Sequence, residues 1–574
     1  LGVDDELLDP TADLPGTVVG DGAFLAAVSR ERGPHMRDIV ATIQREQDLA
    51  VRAPDDGALV VTGGPGTGKT AVALHRVAYL MYARRDWYGR RGVLVVGPSD
   101  VFVDYISAVL PSLGETSVRL ASLGGVPVLP RRLALGGDDD AAAVAAKGSL
   151  RMATLLKRAV RRLSGRERLH ELHLERWGHP FVLPVQEQLR RRSHVGRSPR
   201  SHNTGHTAYV AALVEAAWRE WERRPNAATP EPGDREDFGR WLRHEPRFVR
   251  AVAAAWPVLQ PTDVLAALRT GAVPLSTLAQ GLYDDEEQAA LARSWPDTVL
   301  SAADVAILDE LDALLGPVPE PEPDPDDAWD ELAELDALAA EHGVTTFADR
   351  HRSAARQVLD HDHRSFAHVV VDEAQDVTPM QWRMLGRRAR GATWTVVGDW
   401  AQSAWPAVEE IRSSLDGVLG KARVRTVELS TNYRTSTEIA ALAAHVLRRI
   451  DPSAVPPAAV RSTGVEPTWT VASSLVEAAT PLVDALLADV TGTVGVVVPR
   501  SLRTQVRHPD PRVAVVDPWQ VKGLEYDGCL VVAPELIVAE ALTEVAGLRT
   551  LYVALTRATQ RLAVLSTHRE EWLD

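Results

Sequence analysis

Short runs of branched apolar residues recur along the chain, and several close on glycine or an acidic residue. Gly57–Thr70 reads G-A-L-V-V-T-G-G-P-G-T-G-K-T, and the A-V-A-L-H-R-V-A-Y-L that follows has helical spacing, so the pattern predicts strand, loop, helix. V-L-V-V-G-P-S (Val93–Ser99) is a run of the kind buried on both faces of a parallel sheet. Ala367–Val371 and Trp394–Val397 are two more, closing at Asp372 and, past Gly398, at Asp399. Strand runs separated by helical stretches predict one doubly wound α/β domain over residues 36–130 and 346–414, interrupted by a long insertion. Runs at Val424–Leu429, Val494–Val498, Val513–Val516, Cys529–Val532 and Leu562–Leu565 predict a second α/β domain over residues 415–574, without a phosphate loop of its own.

The insertion, residues 131–345, has a different texture. Helical patterns rich in Ala, Leu and Arg dominate it. Its charge is segregated: Arg151–Arg200 holds 13 Lys/Arg against 4 Asp/Glu, whereas Glu320–Glu341 holds 10 Asp/Glu and no Lys/Arg. The acidic stretch includes a proline-alternating loop, residues 316–331, whose composition favours an extended segment. Residues 1–35 are expected to be an N-terminal remnant or linker. The chain begins at Leu1 rather than Met, so a further segment is expected upstream.

Composition narrows the function classes. The 574 residues carry a formal charge of −15 with 45% apolar and 25% charged residues, which suits a multidomain globular protein and argues against one that coats nucleic acid. Cys529 is the only cysteine, so neither an intramolecular disulfide nor a cysteine zinc site can form, and a cytoplasmic location without membrane insertion is expected. Lysine occurs at only five positions, Lys69, Lys147, Lys157, Lys421 and Lys522, so each of them invites a question.

The strongest chemical signal is Gly63-Gly64-Pro65-Gly66-Thr67-Gly68-Lys69-Thr70, which satisfies G-x-x-x-x-G-K-[ST] in the strand-to-helix context that motif needs. Its glycines let backbone N–H groups turn toward phosphates, the helix N-terminus adds a positive dipole, Lys69 meets the β- and γ-phosphates, and Thr70 ligates Mg²⁺. Asp372-Glu373 supplies the complement: Asp372 would hold the metal and Glu373 would orient the attacking water. These residues point to ATP and Mg²⁺.

Seven motifs then occur in a telling order: I-Q-R-E-Q (Ile43–Gln47), the phosphate loop, V-D-E-A-Q-D (Val371–Asp376), V-G-D-W-A-Q-S (Val397–Ser403), T-N-Y-R-T (Thr431–Thr435), V-K-G-L-E-Y-D (Val521–Asp527) and V-A-L-T-R-A (Val553–Ala558). From about Arg30 onward the chain resembles the UvrD/Rep-type superfamily 1 helicase motors, and most closely the HelD/HelR branch of RNA polymerase-recycling ATPases. The resemblance implies two RecA-like P-loop NTPase-type domains, the first carrying the mainly helical insertion. It also implies that Gln44 reads the adenine edge, Tyr433 stacks on the base, Glu525 binds the ribose, Gln402 senses the γ-phosphate, and Arg434 and Arg557 act as arginine fingers from the second domain. Lys522 falls near the motor cleft.

Departures from the motifs separate the branches. Repair helicases hold single-stranded DNA with a Thr-x-His before K-G-L-E and an aromatic-Arg pair after the third motif; the positions here are Asp517 and Trp519, and Ala407 and Val408. Too few residues separate Arg434 from Lys522 for the accessory domain those helicases insert there. The resemblance therefore implies a motor that binds RNA polymerase core and drives release of nucleic acid, with weak or indirect DNA contact. A UvrD/Rep-type repair helicase is the alternative. Some relatives also displace rifamycin-type inhibitors, which the resemblance leaves open. Asp324, Asp326 and Asp327 in the acidic run are expected either to mimic a nucleic-acid backbone or to belong to a solvated linker.

Overall fold

The computed structural model describes residues 45–568, apart from 320–365, short stretches within 101–117 and 127–134, and positions 138, 165–168, 198–200, 225–230, 232, 296–298 and 404. Gln44, residues 1–35 and nearly all of the acidic proline run lie outside the described residues. The chain divides into two compact units, Leu1–Val126 with Arg364–Asp574, and Pro127–His363. The second is the insertion, somewhat wider than the 131–345 that composition predicts. Among the described residues no helix is long and apolar enough to cross a membrane.

Among the described residues the strands run in chain order as β1 (Ala58–Gly63), β2 (Val93–Gly97), β3 (Val118–Ser122), β4 (Leu172–Arg176), β5 (His179–Leu183), β6 (His368–Val371), β7 (Thr393–Gly398), β8 (Val424–Leu429), β9 (Thr431–Ser436), β10 (Ala458–Arg461), β11 (Thr468–Val471), β12 (Val494–Val497), β13 (Val513–Val516), β14 (Tyr526–Val532) and β15 (Ala558–Ser566). The first unit holds two large parallel sheets, a first ordered β3-β2-β6-β7-β1-β8 and a second ordered β11-β15-β14-β12-β13, and a parallel two-stranded pair, β10-β9. Every residue of β2 and β6 is buried, as befits strands covered on both faces, and Leu59, Val61, Val95, Val370 and Val397 share one core with the helix after the phosphate loop. The second sheet has a core on each face, around Val497, Cys529 and Val531 on one side and Val496, Leu530 and Val532 on the other.

One boundary needs correction. The run Val424–Leu429, assigned by sequence to the domain over residues 415–574, pairs with β1 from Ala58↔Val424 to Gly63↔Leu429 and so completes the first sheet. Apolar periodicity identifies a strand but not its partner. Here the register is fixed by Gly57, at φ 125, where a Cβ would stand 2.3 Å from the Arg423 carbonyl. The phosphate-loop strand β1 thereby gains a neighbour on each side.

The inserted unit is built from helices and the antiparallel β4–β5 hairpin, whose turn places Trp177 and Gly178 at φ 50 and 77. Phe181, Trp218, Trp221, Phe238 and Leu242 form its aromatic core. Several arginines of the basic block are partnered within the unit: Arg151 pairs with Glu287 and bonds the Leu282 carbonyl, Arg158 bonds the Leu278 and Gln280 carbonyls, Arg190 and Arg191 share Glu187, and Arg192 bonds the Ser164 carbonyl. Lys147 is fully buried between Asp139 and Asp304, at 3.0 and 2.8 Å.

Candidate active site

The phosphate loop connects β1 to the helix Lys69–Ala83, whose N-cap Gly68 is left-handed and supplies no capping side chain. The first N–H groups of that helix therefore face the loop without a side-chain acceptor, the arrangement that receives a phosphate. The lysine ammonium donates to the Gly64 carbonyl at 2.8 Å, and the Thr67 hydroxyl donates to the same oxygen at 3.0 Å. Gly66 and Gly68, at φ 71 and 80, are required for a second reason: a Cβ on either would stand 2.2 Å from Asn432 Oδ1 or from the Tyr433 hydroxyl. At Gly63 and Gly64 a Cβ would stand 2.7 and 2.5 Å from Leu429 and Pro457, and Pro65 is buried.

Asp372 ends β6 beside this loop. The Thr70 hydroxyl donates to its Oδ2 at 2.6 Å, so two hard oxygen ligands stand together. Burial, then the neighbouring Glu373 charge, pushes the Asp372 carboxyl up to about 6. Among the described residues no group of three or more His, Cys, Asp or Glu is placed to hold a metal ion by itself. Two protein oxygens with room for phosphate and water match the preferences of Mg²⁺ rather than those of a metal that demands an all-protein cage.

Glu373 follows in a left-handed backbone, φ 50, a strained position for a residue with a side chain. Its carboxylate accepts from Gln375 Nε2 at 2.7 Å. At the end of β7, buried Asp399 accepts from Gln402 Nε2 at 2.6 Å, and burial raises its carboxyl against the pull of Lys69. Lys69, Thr70, Asp372, Glu373 and Gln402 thus converge on one end of the first sheet, where ligands of doubly wound folds bind.

The remaining predicted residues come from β9 and the second sheet. Tyr433 is fully buried: its N–H donates to the Gly66 carbonyl at 3.1 Å, and its hydroxyl lies 3.4 Å from Gln47 Nε2. The ring has no open face in this conformation, so stacking on a base requires it to move. Arg434 and Glu525, expected to be finger and ribose ligand, form an ion pair with each other. Arg557 is buried against backbone, donating to the Val553 and Leu524 carbonyls at 3.0 and 3.3 Å.

Several contacts around the site escape sequence reading. Gln47, three residues beyond Gln44 in sequence, makes the contact to Tyr433; its signal was the second glutamine of I-Q-R-E-Q. Lys522 pairs with Asp376 at 2.7 Å and lies 4.4 Å from the centre of the Trp519 ring. Asp517 is buried and caps its own turn, accepting from the N–H groups of Trp519 and Gln520. Arg76 is also buried and bonds the carbonyls of Ala50, Val51, Ala53 and Pro54, which ties the helix carrying Gln47 to the phosphate-loop helix.

No curated protein matches the chain. A family model described as an AAA domain matches residues 47–407, a span that opens at Gln47 and takes in the phosphate loop, both acidic strand ends and Gln402. The match covers more than half of the chain, and with the site it encloses, the protein belongs to the AAA-domain family as a P-loop NTPase of the superfamily 1 helicase type.

Proposed function

We propose that the protein is a cytoplasmic Mg²⁺-dependent ATPase motor that binds RNA polymerase core and uses nucleotide-driven motion between its two sheets to release nucleic acid and recycle the enzyme. Lys69 and the loop N–H groups bind the β- and γ-phosphates, and Glu373 orients the attacking water. Thr70 and Asp372 would hold Mg²⁺, which supplies charge neutralisation on the phosphates. Gln402 reads the γ-phosphate through the Asp399 turn. Arg434 of β9, once released from Glu525, and Arg557, beside β15 of the second sheet, bring positive charge to the transferred phosphoryl group, while Tyr433 and Glu525 take base and ribose. Gln44 reads the adenine edge in this scheme, as the resemblance implies.

The observation that favours polymerase recycling over DNA unwinding is Asp517. Where a strand-holding helicase presents a side chain to DNA, this carboxylate is buried and occupied by two backbone N–H groups and Arg503. A repair helicase remains the second reading because Trp519 is partly exposed beside Lys522, a combination suited to stacking a base.

Measuring ATP turnover with and without single-stranded DNA, and with and without polymerase, separates the two. Recycling predicts polymerase capture with little stimulation by DNA, whereas processive unwinding with strong DNA stimulation would favour the helicase. Lys69→Ala abolishes turnover under either reading, and retained hydrolysis would overturn the assignment of the phosphate loop.

A further inference from the structure

Gln375 is 1% exposed and lies in the single turn Ala374–Asp376 that follows β6, outside the set of residues that would touch nucleotide. Its amide spans two strand ends. Nε2 donates to Glu373 Oε2 at 2.7 Å, while Oε1 accepts the Asp399 N–H at 2.9 Å. The orientation follows from chemistry: a backbone N–H can only donate and a carboxylate can only accept, so one amide flip alone satisfies both partners. The Gln375 carbonyl also accepts from the Ser403 hydroxyl at 2.8 Å. Asp399 in turn holds the Ala401 N–H at 3.0 Å and Gln402 Nε2 at 2.6 Å. Gly398 leaves the passage for the amide, since a Cβ there would stand 2.7 Å from Gln375 Oε1.

We propose that Gln375 is a positioning residue for ATP hydrolysis, holding the Glu373 carboxylate in its working rotamer and coupling it to the Asp399–Gln402 turn, so that γ-phosphate contact at Gln402 and water orientation at Glu373 change together. This rests on the ATPase reading above. Glu373 projects from a strained left-handed residue, and the Gln375 amide fixes the direction of its carboxylate. A displacement of the Asp399 turn is passed through one rigid amide, three hydrogen bonds from Gln402 to Glu373.

The test uses the full chain and reads steady-state ATPase together with equilibrium binding of a fluorescent ATP analogue. Gln375→Ala removes both bonds; Gln375→Glu keeps the acceptor for Asp399 and places a carboxylate against Glu373. Both variants are expected to lose kcat by ~10-fold or more, the scale on which groups that orient a catalytic side chain act, with KM and analogue affinity moving by less than ~3-fold. In a Glu373→Gln background, adding Gln375→Ala is expected to cost less than a further ~2-fold, because both changes disable one group. A full additional ~10-fold loss in that background, or loss of analogue binding in proportion to kcat in both variants, would show a merely structural role and overturn the proposal. An ATPase that depends on Lys69 but is indifferent to Gln375→Ala sinks the proposal alone. Equal turnover by the wild type and Lys69→Ala sinks the hydrolysis reading and the proposal with it.

Discussion

The ion pair between Lys522 and Asp376 joins the segment entering β14 of the second sheet to the turn after β6 of the first, and its removal should be felt by both. The charged atoms are 2.7 Å apart, with side chains 5% and 10% exposed. At an effective dielectric of about 20, charges at that distance attract by about 6 kcal/mol, and desolvating the two ions offsets several kcal/mol of that. Lys522→Met or Asp376→Leu alone strands a buried charge and should destabilise by about 3–5 kcal/mol, whereas the double replacement should recover most of the loss. The assay is a double-mutant cycle on urea midpoints followed by tryptophan fluorescence, repeated at low and high salt. A coupling of about 2–3 kcal/mol that persists in 1 M salt is expected, because burial shields the pair from counterions. Coupling below about 0.5 kcal/mol, or its disappearance on adding salt, would refute the reasoning, since either result describes an exposed pair.

Gly68→Ala places a Cβ 2.2 Å from the buried Tyr433 hydroxyl at φ 80, so it should destabilise the protein by about 1–3 kcal/mol and weaken binding of a fluorescent ATP analogue; unchanged melting and binding would contradict it. His368 is held neutral, its pKa lowered to about 3 by burial and then by Arg76, while its two ring nitrogens bond the Thr393 and Thr395 hydroxyls. Its stabilising contribution is present above the unfolded value near 6.5 and is lost as pH falls toward 3, so stability should drop by at most about 1.4 kcal/mol per pH unit in that window. His368→Gln should flatten this acid slope in pH-dependent denaturation, and an unaltered slope would exclude His368 as its source. Lys147→Met leaves Asp139 and Asp304 facing each other without their cation, so proteolysis of residues within Pro127–His363 should accelerate at a cost of about 3–5 kcal/mol; wild-type protease resistance would count against it.

What the sequence determined by itself was local. The glycine loop, its strand and its helix lie within one contiguous stretch, so their chemistry and geometry are written in neighbouring residues, and Thr70 found Asp372 because strand ends in a parallel α/β sheet share one edge. Two of the five lysines, Lys69 and Lys522, were singled out by motif, but Lys147 was not, because its carboxylate partner Asp304 lies 157 positions along the chain. Only tertiary structure decided that β8 joins the first sheet, since an apolar run specifies a strand and not its neighbour. β9 is polar, T-N-Y-R-T-S, and gave no periodic signal at all; pairing with β10 and packing on the phosphate loop make it a strand. The basic block was legible as a count alone; that Arg151, Arg158 and Arg192 bond carbonyls of their own unit was not, because a guanidinium satisfies distant backbone that no linear pattern reveals. Composition and spacing thus set which chemistry is present, and long-range packing set which side chains meet to perform it.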